Sequence, residues 1–227
     1  MKAGQVKVLR DLEVNLDPII DFLSKQDDLS ALGIKPLTQR LCWMLTVVGM
    51  LRPDSIRCID IADPRFRITD DIVIIPILRP KEKRAGQPIS WAQTIQRHEN
   101  RLLCPVATFA AYLSRIKDSK CVVDHPKYCK TKYTPLVRDC RDFTKPVGSD
   151  AISNHAQVIA DLVPRQPGTS RTRGRATGAT AAFQGGAPVG DIVAHANWSS
   201  SILFDKYYRL GSRTKTNLTT TILRSVS

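Results

Sequence analysis

RATGATAAFQGGA, residues 175–187, narrows the possible folds of this chain more than any other stretch. A helix built from side chains this small can approach its neighbour far more closely than one faced with leucines. The arginine at its head, Arg175, is thereby carried toward the centre of the fold. The glycines invite a phosphate-loop reading, but no Gly-Lys-Ser/Thr follows them, so a nucleoside triphosphate site is not indicated.

Other segments supply what this helix can pack on. LTQRLCWMLTVVGML (37–51) reads as a strong helix, with Thr38 near its start and Pro53 just past its end. Its Leu41, Leu45, Val48 and Leu51 fall at helical spacing and are expected in the core. DPIIDFLSKQ (17–26) reads as a short helix capped by Asp17, with Pro18 in the first turn. Between 66 and 96 the period changes. DIVIIPIL is β-branched, PISWAQTIQ alternates, and the charged RPKEKRAGQ between them makes a hairpin with a basic tip. LCPVATFAAYLSRIK (103–117) and SDAISNHAQVIADLV (149–163) are further helices, the second capped by Ser149 or Asp150. An irregular, polar crossing segment spans 118–148. PRQPGTSRTRGR is a loop, small-residue helices follow through 175–195, and a last helix covers about 200–210. The expected fold class is α+β, mostly α, with one small antiparallel sheet.

Charge narrows the partner. The chain carries 34 Lys+Arg against 21 Asp+Glu, a formal charge of +13, which favours a polyanion such as nucleic acid through counterion release. The longest apolar stretch, LCWMLTVVGML, is too short to span a bilayer, and the first 17 residues lack an apolar run of signal-peptide type. Six dispersed cysteines suit a reducing compartment. Cys121, His125, Cys129 and Cys140 are zinc-ligand types, but their spacing misses the usual paired short loops, so free thiols and no metal are expected.

Chemistry-bearing residues recur in a definite order: Arg52 directly after a hydrophobic helix, Lys81, Lys83 and Arg84 at the hairpin tip, Arg175, Trp198, then Tyr207 and Tyr208. Taken alone, Arg52 reads equally well as a cation at a helix C-terminus, stabilised by the dipole.

That order resembles the catalytic domain of the tyrosine recombinases, the phage-integrase and Cre-like enzymes. GMLRPDSI is similar to their first arginine motif, the basic hairpin to the one bearing their mobile lysine, and TRGRATGAT to their His-x-x-Arg helix. ANWSSSILFDKYYR is similar to their His/Trp-to-Tyr segment. The small-residue helix, NWSS and the F-x-x-aromatic-Tyr pattern resemble eukaryotic Crypton-type recombinases most. The resemblance implies a tyrosine-recombinase catalytic domain over residues 31–212. Residues 1–30 would be a helical lead-in, and 213–227 a tail exchanged between protomers.

It also implies roles. Arg52 and Arg175 clamp the non-bridging oxygens of a scissile phosphate, Lys81 (or Lys83) protonates the leaving 5′ oxygen, and Trp198 donates its indole N–H or packs under the nucleophile. A tyrosine attacks phosphorus, so neither cofactor nor metal is required. Counting from Trp198 as in Cre-like enzymes gives Tyr207, whereas the Crypton-like pattern gives Tyr208, which is preferred, with Tyr207 as the packing aromatic. The family's histidine falls on Thr172, a poor general base, and His195 is a further candidate there. Lys81, Lys83, Arg84, Arg171, Arg173 and Arg209 are expected to touch DNA. The implied partners are double-stranded DNA and further copies of the chain in a tetrameric synapse, with no membrane. The location would be the nucleus for a eukaryotic mobile element, otherwise the cytoplasm with DNA. The alternative is a decayed, non-enzymatic DNA-binding protein on the same fold, supported by Thr172.

Overall fold

A computed structural model describes residues 14–77, 91–164 and 171–205, and the backbone of 83–84 and 87–88. Three helices open the described chain: α1 (Asp17–Ser24), α2 (Ile34–Val47) and α3 (Pro53–Arg57). The strands follow as β1 (Arg67–Ile68), β2 (Ile72–Ile77), β3 (Lys83–Arg84), β4 (Gln87–Pro88) and β5 (Trp91–Gln96). Next come α4 (Pro105–Ile116), the short strands β6 (Val123–Asp124) and β7 (Lys132–Tyr133), and α5 (Ser149–Ala160). The chain then runs through α6 (Gly174–Gln184), α7 (Val189–His195) and α8 (Ser201–Leu203).

Helix α2 is the axis of the molecule. Leu37, Leu41 and Leu45 are fully buried against Phe109 and Tyr112 of α4 and Ile152 of α5. Each such leucine is worth roughly 1.5–3 kcal/mol in area removed from water. The helix ends earlier than its apolar pattern suggests. Val47 is its last residue, Val48 caps it and is 38% exposed, and only Leu41, Leu45 and Leu51 of the expected stripe are buried. The reason lies in Gly49 and in Met50, which adopts the left-handed conformation (φ 47°) and turns the chain out of the helix before Pro53 could stop it.

Cap residues also differ from expectation. Leu16 and Gly148 precede α1 and α5, so Asp17, Ser149 and Asp150 lie inside their helices, placing the acids in the positive first turn. Helix α5 stops at Ala160, three residues short of the sequence pattern. Of the last helix expected over 200–210, Ser201–Leu203 is α-helical, and residues 206–227 lie outside the described residues.

The sheet has the order β1-β2-β5, all antiparallel, with Ile75 opposite Gln93 and Ile77 opposite Trp91. Strands β3 and β4 pair Lys83 with Pro88 and Arg84 with Gln87. The crossing segment is irregular but pinned. Buried Arg138 donates to the carbonyls of Ser119 at 2.6 Å and Pro135 at 3.3 Å, and the Tyr112 hydroxyl accepts its backbone N–H. Among the described residues no helix is long and apolar enough to cross a membrane.

A second, smaller apolar cluster gathers Met50, Ala179, Ile192, Ala196, Trp198 and Phe204. It joins the turn after α2 to α6, α7 and the end of α8.

Candidate active site

The site grows from the contact of α6 with the end of α2. A Cβ on Gly174 would lie 2.7 Å from Thr46 Oγ1, and one on Gly178 would overlap the Val47 carbonyl and sit 2.8 Å from its carbon. Only hydrogen fits at Gly178, because its neighbour is backbone. This close approach sets the first turn of α6, with Arg175 one residue into it, against the C-terminal turn of α2.

Arg175 is 7% exposed. Its Nη2 donates to the Ala196 carbonyl, and its guanidinium lies over the Trp198 ring, 5.2 Å from the ring centre. That is a cation–π arrangement, and a planar guanidinium suits it better than an ammonium. Trp198 in turn stacks on Phe204, with ring centres 5.8 Å apart and 23° between planes, and Phe204 also meets Phe183 of α6. Residues 175, 196, 198 and 204 thus form one unit, and Phe204 leads directly into the segment that holds Tyr207 and Tyr208.

Arg52 is not a cation at a helix C-terminus. It is the N-cap residue of α3, half-buried, with an extended backbone whose carbonyl accepts the N–H groups of Ser55 and Ile56, both at 2.9 Å. Two residues earlier Met50 packs in the same cluster as Ala179 and Trp198, so the chain reaches Arg52 along the flank of α6.

Helix α3 is braced from the crossing segment. Lys127 Nζ lies 2.6 Å from Asp54 Oδ2, Arg57 pairs with Oδ1 at 3.0 Å, and the Tyr133 hydroxyl donates to the Arg57 carbonyl at 3.1 Å. Burial pushes the Asp54 carboxyl up, but the hydrogen bonds and charges of Lys127 and Arg57 outweigh it, leaving the group below the usual carboxylate value. Burial likewise pushes the Tyr133 phenol up to about 12.

His195 lies at the end of α7. Its Nε2 is 2.8 Å from the Val48 carbonyl, and the Gln93 amide nitrogen is 2.9 Å from Nε2 and 3.3 Å from Nδ1. Thr172 is exposed and meets the Thr177 hydroxyl at 3.4 Å, with no side chain of the site attached to it in that contact. Arg171 pairs with Asp161 at 3.2 Å on the surface, and Arg173 is the exposed N-cap of α6. Lys81, Tyr207, Tyr208 and Arg209 lie outside the described residues, as do the side chains of Lys83 and Arg84.

Cys121, His125, Cys129 and Cys140 do not converge. No metal-ligating cluster of three occurs among the described residues. His125 is instead wedged between Tyr128 and Tyr133, with ring centres 4.6 and 4.8 Å away, and Cys140 Sγ lies 3.5 Å from Thr38 Oγ1.

Two participants escape sequence reasoning. Gln93 has the inward parity of the alternating strand, between Trp91 and Ile95, and a polar residue there is the one available signal. Asp54 gives none, since its partner Lys127 is 73 positions away.

This arrangement of helices around a three-stranded sheet recurs in solved structures. XerA recombinase aligns over 84% of this chain with a TM-score of 0.50 and 13% identity. A lambda integrase dimer bound to a COC′ core site aligns over 95% with a TM-score of 0.51 and 14% identity. The Tn1549 transposon integrase in complex with a circular intermediate DNA aligns over 99% with a TM-score of 0.56 and 11% identity. The fold is that of the tyrosine-recombinase catalytic domain. The chain spans 64% of the XerA recombinase chain, 65% of the lambda integrase chain and 68% of the Tn1549 integrase chain. No protein-family model and no curated protein matches the sequence.

Proposed function

We propose that this chain is the catalytic part of a site-specific DNA recombinase, the transposase or integrase of a mobile element, working through a covalent 3′-phosphotyrosine. The observation that carries this reading is Arg175. It is a buried guanidinium held by the Ala196 carbonyl and the Trp198 face, on a helix packed closely against the end of α2, in a fold shared with recombinases. A buried, oriented cation at that place is suited to charge that develops on a phosphate.

In the proposed reaction Arg52 and Arg175 hold the two non-bridging oxygens. The Tyr208 oxygen attacks phosphorus, the bond to the 5′ oxygen breaks, and Lys81 supplies the proton that makes the leaving group a free hydroxyl. The phosphate diester is kept as a tyrosyl ester, so attack by another 5′ hydroxyl rejoins DNA with no metal or ATP. Trp198 orients Arg175 and backs the nucleophile's segment. With threonine at 172, the phenol proton passes to water, and the phosphate-bound arginines stabilise the phenolate that attacks. The partner is duplex DNA and the working assembly a tetrameric synapse. The Crypton-type kinship and a nuclear location rest on the NWSS and aromatic-Tyr-Arg motifs.

Nicked suicide DNA provides the test. Wild type should form a protease-sensitive covalent adduct that Tyr208→Phe abolishes and Tyr207→Phe retains. Loss only in Tyr207→Phe would reverse the choice of nucleophile. Tight DNA binding with no adduct from wild type would leave the non-enzymatic DNA-binding reading in its place.

A further inference from the structure

Gln93 is a polar side chain on the core face of its strand, 1% exposed, where an apolar residue would cost nothing to bury. Its partner explains its presence. His195 Nε2 lies 2.8 Å from the Val48 carbonyl, and the Gln93 amide nitrogen lies against the same ring, 2.9 Å from Nε2 and 3.3 Å from Nδ1. One ring therefore bridges three elements: β5 below the basic hairpin, the C-terminus of α2 ahead of Arg52, and the end of α7. The next residue, Ala196, provides the carbonyl that holds Arg175, and Trp198 follows two residues later. The strand and the helix end are themselves in contact, because a Cβ on Gly49 would lie 3.0 Å from Ile95 Cδ1.

We propose that Gln93 and His195 are positioning residues for DNA cleavage, a latch to the Val48 carbonyl that fixes the 195–198 segment and, through it, the guanidinium of Arg175. This deepens the recombinase reading and rests on it. It also assigns His195 a place apart from the proton transfers, since its Nε2 is occupied by the Val48 carbonyl and the Gln93 amide. The nucleophile and the general acid are unaffected by it.

The experiment compares wild type with Gln93→Ala, His195→Ala, His195→Gln and the double alanine variant. Three quantities are measured on the whole chain: single-turnover cleavage of nicked suicide DNA, DNA affinity, and amide hydrogen exchange across 189–198. Each alanine variant should slow cleavage about tenfold or more, the effect of losing a hydrogen bond or two of alignment. DNA affinity should stay at the wild-type value, and exchange should quicken in 189–198 while α4 and α5 keep their protection. The double variant should be no slower than the slower single, because the two side chains act as one unit. His195→Gln should recover most of the rate, its amide donating to Val48 and its oxygen accepting from Gln93. Unchanged exchange at 189–198 in Gln93→Ala overturns the latch, whatever the activity. Wild-type cleavage rates despite quickened exchange overturn the positioning role. An inactive wild type instead sinks the recombinase reading and the positioning role with it, while the exchange data still decide whether the bridge exists.

Discussion

Replacing Gly178 by alanine separates the close approach of α6 from every other feature of the site. The added methyl would overlap the Val47 carbonyl oxygen and lie 2.8 Å from its carbon and 3.2 Å from its Cα. All three atoms are backbone of α2, so no rotamer change relieves the clash. Ordinary contact returns only if α6 backs away by on the order of 1 Å, an overpacking worth roughly 1–3 kcal/mol. Alanine's better helix propensity offsets about 1 kcal/mol of that. The net loss is then at most about 2 kcal/mol, a fall in Tm of no more than about 8 °C for a chain of this size. The functional loss should be far larger. Arg175 sits one turn earlier on the same helix and moves with it, and a misplacement of about 1 Å can reduce rate by about 10²-fold. Thermal melting and single-turnover cleavage of suicide DNA read the two effects separately. Gly190→Ala is the control, because a Cβ there meets nothing within 4 Å, and it should retain full activity. A Gly178→Ala protein that melts at or above wild type and cleaves at the wild-type rate would refute the dependence of the site on this helix contact.

Other outcomes follow from the same geometry. Arg175→Lys loses the planar stack on Trp198 and should cut the cleavage rate about 10²–10³-fold while DNA affinity, read by fluorescence anisotropy, changes little. Lys127→Met should lower stability at neutral pH by no more than about 1 kcal/mol, since the pair with Asp54 is partly exposed. Because the Asp54 pKa is lowered by folding, that contribution is present above the ordinary aspartate pKa of about 4 and vanishes as pH falls through the lowered value. Wild type and Lys127→Met should therefore converge in Tm in acid; an equal gap at both pH values would exclude the ion pair as the cause. Binding of nonspecific duplex should weaken steeply and log-linearly with salt, and a flat salt titration would be inconsistent with the +13 charge acting on phosphates.

Much of the fold is legible in local pattern. The alternation in 91–96 and the β-branched run at 72–77 mark the hairpin, Pro105 marks the start of α4, and the small residues of 174–184 announce a closely packed helix. What local pattern misses is decided by backbone geometry and long-range contact. The apolar stripe of α2 continues to Leu51, yet the left-handed Met50 ends the helix early, and Val48 faces outward with a carbonyl free to receive His195. The same turn makes Arg52 the N-cap of a new helix rather than the last cation of an old one. Arg175 and Trp198 stand out by residue type and spacing, and they are brought together. Gln93 and the Asp54 brace act through partners 102 and 73 positions away, which no periodicity encodes.

The anchors of the two ring and guanidinium groups are both carbonyl oxygens, Val48 for His195 and Ala196 for Arg175. Every amino acid brings such an oxygen, so the identities at 48 and 196 can drift while the docking points stay where the main chain puts them. An architecture fastened in this way leaves a faint imprint in the residue alphabet, and a shape shared at 11–14% identity is what it permits.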